Sequence, residues 1–265
     1  MNMETTCVET ELNVSWLKVK LNKVEKERNR IVIYSELNKK NAKTKLKIVK
    51  KVLKLIKQNE KIIVSKEIKN DKEFMNLLYS QGLDIYTSKD LFRKLLSKVL
   101  DYIINYENLT MEETEIWITT NEYIEELEDL ANNYKRINIV TNHIEKFKKI
   151  EEKLYDEKGI IVTLTNNKKK SLAKAKIIMN LDFTEETLNK YNIYDKAIIV
   201  NFEEKININK KRFNGILIDN YELNQNIDGY EKYYINDIIE DLEFRNEINI
   251  DDLKINKLIT KNGTY

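Results

Sequence analysis

The sequence predicts an α/β protein with two α/β domains, the second of which is a doubly wound, Rossmann-like parallel sheet. Continuous apolar runs, such as residues 160–162 and 197–200, alternate with amphipathic helical segments in the second half. Strands that are apolar throughout are typical of parallel sheets covered by helices on both faces. The chain has 265 residues, of which 42% are hydrophobic, so it is long enough to bury two cores. The acidic and polar segment 108–114 is the linker candidate, and we predict domains at 1–110 and 111–265.

The first half contains fewer regular patterns. Alternating apolar and polar residues predict a half-buried strand over 12–21. A repeat of apolar residues at helical spacing predicts a long helix over 40–58, and Ser88 is a candidate N-cap for a helix over 88–106. The other predicted elements are a polar turn at 22–29, strands at 30–34, 61–65 and 83–86, and a helix at 71–80.

The second half alternates strands and helices in the order expected of a doubly wound sheet. The predicted strands are 115–119, 137–141, 160–165, 176–180, 197–202 and 215–219. The predicted helices are 121–134, 144–158, 168–174, 184–191 and 235–244. We expect the first five of these strands to be mainly parallel, with right-handed crossovers. Residues 251–265 are expected to add an element at the edge of the sheet.

Composition excludes several classes of site. Cys7 is the only cysteine and His143 the only histidine, which excludes an internal disulfide and metal sites built from several Cys or His ligands. The first thirteen residues lack the apolar core of a signal peptide, and no apolar run approaches the length of a membrane span. We therefore expect a cytoplasmic protein with no metal and no membrane partner.

Short hydrogen-bonding side chains follow most of the predicted strands. In an open α/β sheet, ligands bind outside the carboxyl ends of the strands, near the point where the strand order reverses. Thr120, Asn142 and Asp182 occupy such positions, and we predict that they line a cleft that binds a small polar or anionic ligand. Thr, Asn and Asp are also preferred helix N-caps, so capping is the alternative role for each residue taken singly.

The second domain lacks the glycine-rich dinucleotide fingerprint. The residues after the first strand, Thr120-Asn-Glu-Tyr123, contain no glycine that would let the backbone approach a pyrophosphate. Glu122 adds negative charge there, and Asn142 stands where an NAD enzyme carries an acidic residue for the ribose. We therefore predict that NAD does not bind tightly, which leaves open a shorter ligand or NADP held in another way.

A lysine-rich turn, Asn166-Asn-Lys-Lys-Lys170, follows the third strand of this domain. If a helix begins near Lys168, its first N–H groups and the ammonium groups would attract an anion. We predict a weak anion site with Asn167, Lys168 and Lys169 as its contacts. The alternative is a solvated turn.

Two further sets of residues are candidates for acid–base chemistry, and the sequence supports them less well than the strand-end cleft. His143, just beyond the second strand, has the residue type of a general base at neutral pH, but a solvated histidine in a first helical turn is the favoured interpretation. Asp182 and Asp219 both follow strands, and their sequence separation does not say whether they form a carboxylate pair. Their distance has to come from the structure.

A lysine stripe lies on the long helix of the first half. Nine lysines and no acidic residue lie between Glu36 and Glu60. Five of them fall within an arc of about 80° on a helical wheel, opposite an apolar face; they are Lys43, Lys47, Lys50, Lys54 and Lys57. The stripe has no arginine or aromatic residue, so a solvated face is favoured over nucleic-acid binding, which stays the alternative.

Over most of its length, the chain resembles an uncharacterised bacterial family with a Rossmann-like C-terminal domain. The residues that carry this resemblance are Ile137-Asn-Ile-Val-Thr-Asn142, Phe147, Ile150-Glu-Glu-Lys-Leu-Tyr155, Gly159-Ile160, Leu164-Thr-Asn-Asn-Lys-Lys-Lys-Ser-Leu172 and Ile177-Ile-Met-Asn-Leu-Asp182. That resemblance implies no particular reaction. The order of strands and helices is also distantly similar to the cofactor domain of shikimate-dehydrogenase-type enzymes, and this second similarity is one of architecture.

These observations leave three functions open. The leading one is the binding of a small polar or anionic ligand at the strand ends of a degenerate Rossmann-like domain. The alternatives are an NAD(P)-dependent oxidoreductase and a non-catalytic interaction or regulatory protein. The cofactor, if any, is not determined by the sequence.

Overall fold

The computed structural model describes residues 5–13, 15–123, 126–203, 205–209, 213–225 and 227–265, with the backbone alone of residues 126, 128 and 131. The chain forms two compact units. Unit 1 consists of Met1–Ser88 and Gln225–Asp252, and unit 2 of Lys89–Asn224 and Leu253–Tyr265. Each unit combines strands with helices, and the sheet of unit 2 has Rossmann-like parallel topology. The predicted fold class is therefore confirmed.

The elements are numbered in chain order. The strands are β1 (Cys7–Thr10), β2 (Val24–Glu27), β3 (Arg30–Ile33), β4 (Ile63–Val64), β5 (Ile116–Thr119), β6 (Arg136–Val140), β7 (Ile161–Thr165), β8 (Ile177–Asn180), β9 (Ile198–Asn201), β10 (Ile216–Leu223), β11 (Ile255–Thr260) and β12 (Gly263–Thr264). The α-helices are α1 (Trp16–Lys20), α2 (Ala42–Leu53), α3 (Lys66–Asn70), α4 (Lys72–Ser80), α5 (Lys89–Lys94), α6 (Leu96–Tyr106), α7 (Glu126–Asn133), α8 (Ile144–Lys158), α9 (Glu185–Leu188) and α10 (Ile235–Phe244). Short 3₁₀ helices lie at Leu37–Lys39 and Ile250–Asp252.

The two compact units divide the chain differently from the predicted domains 1–110 and 111–265. Helices α5 and α6 group with unit 2, whereas α10 groups with unit 1. The reason for the second assignment is apolar packing, because Ile238 and Leu242 of α10 lie in one buried cluster with Cys7, Ile63 and Tyr86. Compactness and independent folding are different properties, and the division at residue 110 stays a prediction about folding.

Unit 1 contains a four-stranded sheet in the order β2-β3-β1-β4. Strands β3 and β4 both pair in parallel with β1, and β2 pairs antiparallel with β3. Val8 of the inner strand packs on one face with Ile31, Ile48 and Val52, while Cys7 faces the cluster that contains α10. Each face of β1 therefore has its own covering layer.

The predicted strand over 12–21 is wrong. Its residues include the short helix α1, whose Trp16 and Leu17 are exposed. The inner position in the sheet belongs to β1, which already has neighbours on both sides. The predicted turn at 22–29 instead includes β2, whose Val-Glu-Lys-Glu sequence is typical of a charged edge strand.

Unit 2 contains an eight-stranded sheet in the order β12-β11-β10-β9-β8-β5-β6-β7. The strands from β5 to β10 pair in parallel with one another. Numbered among themselves they have the order 3-2-1-4-5-6, which is the Rossmann arrangement. Strands β11 and β12 extend the β10 edge in antiparallel pairing. The predicted parallel sheet and the edge element from the last residues are confirmed.

Several predicted helices differ from the structure. The helix predicted over 40–58 is shorter, because α2 spans Ala42–Leu53, and the helix predicted over 184–191 is the short α9. Residues 168–174 form turns rather than a helix. The helix predicted over 121–134 is described from Glu126, and residues 124 and 125 lie outside the described part. The helix predicted over 88–106 is divided into α5 and α6 at Leu95. By contrast, α8 and α10 have the predicted bounds.

Candidate ligand site at the strand ends

The strand order of unit 2 reverses between β5 and β8, and Asp182 lies at this point. Its carboxylate accepts hydrogen bonds from the backbone N–H of Asn121 at 2.7 and 2.8 Å and from that of Glu122 at 3.0 Å. It also accepts from the hydroxyl of Thr120 at 3.1 Å and from the Asn121 amide at 3.3 Å. The carboxylate thus closes the loop that follows β5.

This arrangement has a direct consequence for phosphate. In Rossmann-like folds the backbone N–H groups after the first strand face the ligand pyrophosphate. Here the N–H groups of Asn121 and Glu122 are bound by the protein's own carboxylate. A phosphate at that position would replace Asp182 and would meet its negative charge.

Asn121 also connects the β5 loop to the β6 loop. Its side-chain oxygen accepts hydrogen bonds from the backbone N–H and the side-chain amide of Asn142, at 3.0 and 3.1 Å. The structure therefore brings together three of the predicted site residues, Thr120, Asn142 and Asp182, around Asn121. Thr120 is buried, whereas Asn142 is exposed.

A buried polar ladder runs across β5, β8 and β9 beneath this loop. The Thr119 hydroxyl donates to Asn180 Oδ1 at 2.6 Å, and Asn180 Nδ2 donates to Asn201 Oδ1 at 2.7 Å. Asn180 also exchanges hydrogen bonds with the backbone of Phe183. All three ladder residues have no exposed surface. Buried polar groups that are satisfied in this way hold neighbouring strands in one register.

Two basic side chains of α5 lie beyond the carboxyl ends of β8 and β9 and beside Asp219, which is within β10 rather than after it. Arg93 donates to the Leu181 carbonyl at 3.3 Å and lies 4.0 Å from a carboxylate oxygen of Glu203. Lys89 donates to the Asp219 carbonyl at 3.0 Å. Lys89 and Arg93 are four positions apart, so they lie on the same face of the helix.

Burial affects the two cations in different ways. Arg93 Nε is buried and has no hydrogen-bond partner among the described residues. Burial lowers the pKa of Lys89, although the carboxylates of Asp219 and Glu203 act in the opposite direction. An unpaired buried donor and a desolvated amine are features of binding sites. Neither residue was predicted from the sequence, although their spacing on one helix was a signal that could have identified them.

Helix α5 is anchored by aromatic packing. The buried Phe92 ring stacks on Tyr221 of β10 at 4.6 Å between centroids, with the planes 9° apart. It also contacts Phe202, again at 4.6 Å. Phe92 therefore fixes the helix face from which Lys89 and Arg93 project.

The lysine-rich turn lies apart from this cluster. Asn167, Lys168 and Lys169 follow β7, which β6 separates from β5. Asn167 Oδ1 accepts from the backbone N–H groups of Lys169 and Lys170, both at 3.1 Å. Residues 168–174 form turns and these two N–H groups are bound, so the predicted helix N-terminus near Lys168 is wrong. The anion site at Asn167, Lys168 and Lys169 stays a prediction.

The other candidates have structural roles in the described residues. Asp182 does not cap the helix that follows it, because Thr184 accepts from Thr187 N–H and caps α9. His143 is exposed, and its N–H donates to the Thr141 hydroxyl at 3.0 Å. Asp219 lies 4.0 Å from the Lys205 ammonium. These contacts provide no acid–base pair.

The five lysines of the stripe, Lys43, Lys47, Lys50, Lys54 and Lys57, are exposed, while Ile48, Val49 and Val52 of α2 are buried. We therefore expect their joint replacement by glutamine to change the free energy of unfolding by less than about 0.5 kcal/mol per site, as for other exposed positions. Chemical denaturation of the variant measures this change.

The same variant tests nucleic-acid binding, which stays a prediction. If the parent binds single-stranded RNA, the variant should bind it more weakly and with a flatter salt dependence. A matched variant of Lys45, which is buried and pairs with Asp71 at 2.8 Å, should instead lose stability. Loss of folding in the stripe variant would contradict the exposed face.

The described ranges contain neither a metal-binding cluster nor a membrane-spanning helix. In these ranges no three His, Cys, Asp or Glu side chains are placed to share a metal ion. No helix of the same ranges has both the length and the apolar composition needed to cross a membrane.

Strand order and site define unit 2 as a Rossmann-like α/β unit. No protein-family model matches the chain, and no curated protein matches it. The solved structures to which the chain is similar include three dehydrogenases. L-tryptophan dehydrogenase from Nostoc punctiforme is 10% identical with a TM-score of 0.31 over 74% of this chain and 62% of that one. A glutamate dehydrogenase is 10% identical with a TM-score of 0.30 over 81% and 63%.

The third structure is the Leu-bound hetero-hexameric glutamate dehydrogenase from Thermus thermophilus. It is 8% identical with a TM-score of 0.35, over 94% of this chain and 71% of that one. The chain thus spans less than two thirds of the first two structures. The assignment of a Rossmann-like fold rests on the strand order rather than on these scores.

Proposed function

We propose that unit 2 binds a small anionic ligand at the carboxyl ends of β8 and β9, beside β10, with Arg93 and Lys89 as its contacts. The observation that carries this proposal is the buried Arg93 Nε, which has no partner in the described part of the chain. A buried donor left without a partner costs about 1–3 kcal/mol. A ligand carboxylate or phosphate would remove that cost and would pair with the Lys89 ammonium.

Asp182 limits the size and charge of this ligand. A dinucleotide extends its pyrophosphate across the point where the strand order reverses, and there Asp182 holds the N–H groups of Asn121 and Glu122. A ligand that contacts only Arg93 and Lys89 avoids this carboxylate. A short anion is therefore favoured over NAD.

The experiment is a thermal-stability screen of the full chain with phosphate, sulfate, succinate, citrate, NAD and NADP. We expect at least one short anion to raise the melting temperature, because a ligand at 100 times its Kd adds about 2.7 kcal/mol of stability. Arg93→Gln should abolish that rise. Lys94→Gln removes a charge from an exposed position of the same helix and should keep it.

Binding should also depend on pH. Burial lowers the pKa of Lys89, and a bound anion favours the charged amine. Anion binding is therefore coupled to proton uptake, and affinity should fall as pH rises through the pKa of Lys89. Calorimetry in buffers of different ionisation enthalpy measures the uptake. If no anion of the screen stabilises the parent, or if Arg93→Gln responds as the parent does, the proposal fails.

The oxidoreductase alternative requires that Asp182 move away from the β5 loop when a cofactor binds. Micromolar affinity for NAD or NADP in calorimetry would favour it. The alternative of a non-catalytic interaction or regulatory protein is compatible with a bound anion and needs no reaction. A cytoplasmic location and membership of an uncharacterised bacterial family stay predictions.

A further inference from the structure

We propose that unit 1 contains a second ligand site, a cavity that binds an aromatic carboxylate or aromatic phosphate through Arg30 and Lys232. The cavity has a volume of about 580 Å³, which is within the usual range for small-molecule sites. It is lined by β1, by the turn between β2 and β3, and by the loop 228–233 that precedes α10. All of these segments belong to unit 1.

The wall of the cavity is built around Glu9, whose side chain has no exposed surface. Its carboxylate forms an ion pair with Arg30, lies 3.3 Å from the Lys232 ammonium, and accepts a hydrogen bond of 2.7 Å from the Tyr233 hydroxyl. Burial raises the pKa of Tyr233, so the phenol keeps the proton that it donates. Glu9 thus holds three side chains of the wall in place.

A structural role alone does not explain this glutamate. Burying an ion pair is seldom more stabilising than apolar packing, and the alternate face of the same strand is apolar at Val8. Charged groups that converge on a cavity are instead typical of binding sites. Cys7 also lines the cavity, and burial raises the pKa of its thiol to about 12, which disfavours the thiolate.

The two cations reach outward from this wall. The side chains of Arg30 and Lys232 each keep half of their surface exposed although they pair with Glu9. A guanidinium that is fixed on one side by a carboxylate presents its remaining N–H groups as a planar fork, which matches carboxylate and phosphate oxygens. Glu9 and Tyr233 therefore act as positioning residues for the cations.

The aromatic part of the ligand is inferred from two rings of the cavity lining. Tyr230 and Tyr233 lie with their centroids 6.3 Å apart and their planes inclined by 59°. Tyr233 is buried, whereas Tyr230 is partly exposed, so Tyr230 is the ring that a flat ligand can contact directly. An aromatic ring that carries an oxyanion would contact Tyr230 and the cations.

The acidic groups that line the cavity do not change the expectation that the ligand is an anion. The charge of Glu9 is balanced by its ion pairs with Arg30 and Lys232. The Glu231 carboxylate accepts a hydrogen bond of 3.1 Å from the Gly229 N–H of its own loop. Asp228 is exposed, and Arg28 of the same lining carries the opposite charge. Arg30 and Lys232 are therefore the charges that a ligand inside the cavity meets.

The test is an NMR titration of the full, isotopically labelled chain with phenyl phosphate, benzoate, inorganic phosphate and phenol. We expect phenyl phosphate or benzoate to shift the amide signals of Cys7, Glu9 and residues 228–233. The better of the two should bind at least tenfold more tightly than inorganic phosphate and phenol. A preference between them identifies which oxyanion the site accepts.

Variants assign the binding to this cavity. Arg30→Gln and, separately, Lys232→Gln should each weaken binding at least tenfold. If one of these variants does not fold, the other still tests the proposal. Arg136→Gln, which removes an exposed arginine of unit 2, should bind as the parent does. Unchanged affinity in both cavity variants, or an absence of shifts in residues 228–233 at 20 mM ligand, would overturn the proposal.

Discussion

Replacing Asp182 with alanine is expected to destabilise unit 2 and to create a phosphate site where the parent has none. The carboxylate accepts hydrogen bonds from two backbone N–H groups and from the Thr120 hydroxyl. Hydrogen bonds to a charged group contribute about 1.5–3 kcal/mol. Because Asp182 is partly exposed, water replaces some of them, and we expect a loss of about 2–3 kcal/mol in the free energy of unfolding.

The same variant should gain stability from added phosphate. Removal of the carboxylate frees the N–H groups of Asn121 and Glu122, which then resemble the phosphate-binding turn of a Rossmann fold. A phosphate bound with a Kd of about 10 mM would return about 1.4 kcal/mol at 100 mM ligand. Chemical denaturation with phosphate or chloride at constant ionic strength measures this difference.

Three controls assign the effect to the β5 loop. Asp182→Asn keeps the size and one acceptor, and it should lie between the parent and the alanine variant. The double variant of Asp182→Ala with Arg30→Gln removes the cation of the unit 1 cavity and should keep the phosphate response. Replacing Lys168 and Lys169 with glutamine tests the lysine-rich turn. If Asp182→Ala and the parent gain equally from phosphate, Asp182 does not occupy a phosphate position.

A second large effect is expected at Asn180. The variant Asn180→Ala removes the centre of the buried ladder and leaves Asn201, Thr119 and the Phe183 backbone without their partners. Each buried polar group left unsatisfied costs about 1–3 kcal/mol. We expect a total loss of at least about 3 kcal/mol, because no water reaches these residues in the parent.

The matched control for this ladder is Asn142→Ala. Asn142 also follows a strand and bonds to a neighbouring loop, but it is exposed. Its replacement should cost less than about 1 kcal/mol, since water can take over its hydrogen bonds. Denaturation curves of both variants measure the two losses in the free energy of unfolding. Equal losses would show that burial does not set the contribution of these asparagines.

Local sequence patterns were sufficient for much of the fold. The bounds of α8 and α10 could be predicted because apolar spacing involves residues that are three or four positions apart. The parallel sheet of unit 2 followed from continuous apolar strands. The sequence pattern gave wrong predictions at α1 and β2, because pairing with other strands decides the structure there.

The site depended more on tertiary structure. The sequence alone indicated polar residues at the strand ends and so located Thr120, Asn142 and Asp182. Only the strand order brings Asp182 to the N–H groups of Asn121 and Glu122, which are 61 and 60 positions away in the sequence. Its carboxylate therefore occupies the position where a Rossmann fold binds phosphate. Lys89 and Arg93 became candidates for the same reason, because their partners at Asp219 and Leu181 lie 130 and 88 positions along the chain. A carboxylate or cation takes its role from the groups that surround it, and those groups are assembled by folding.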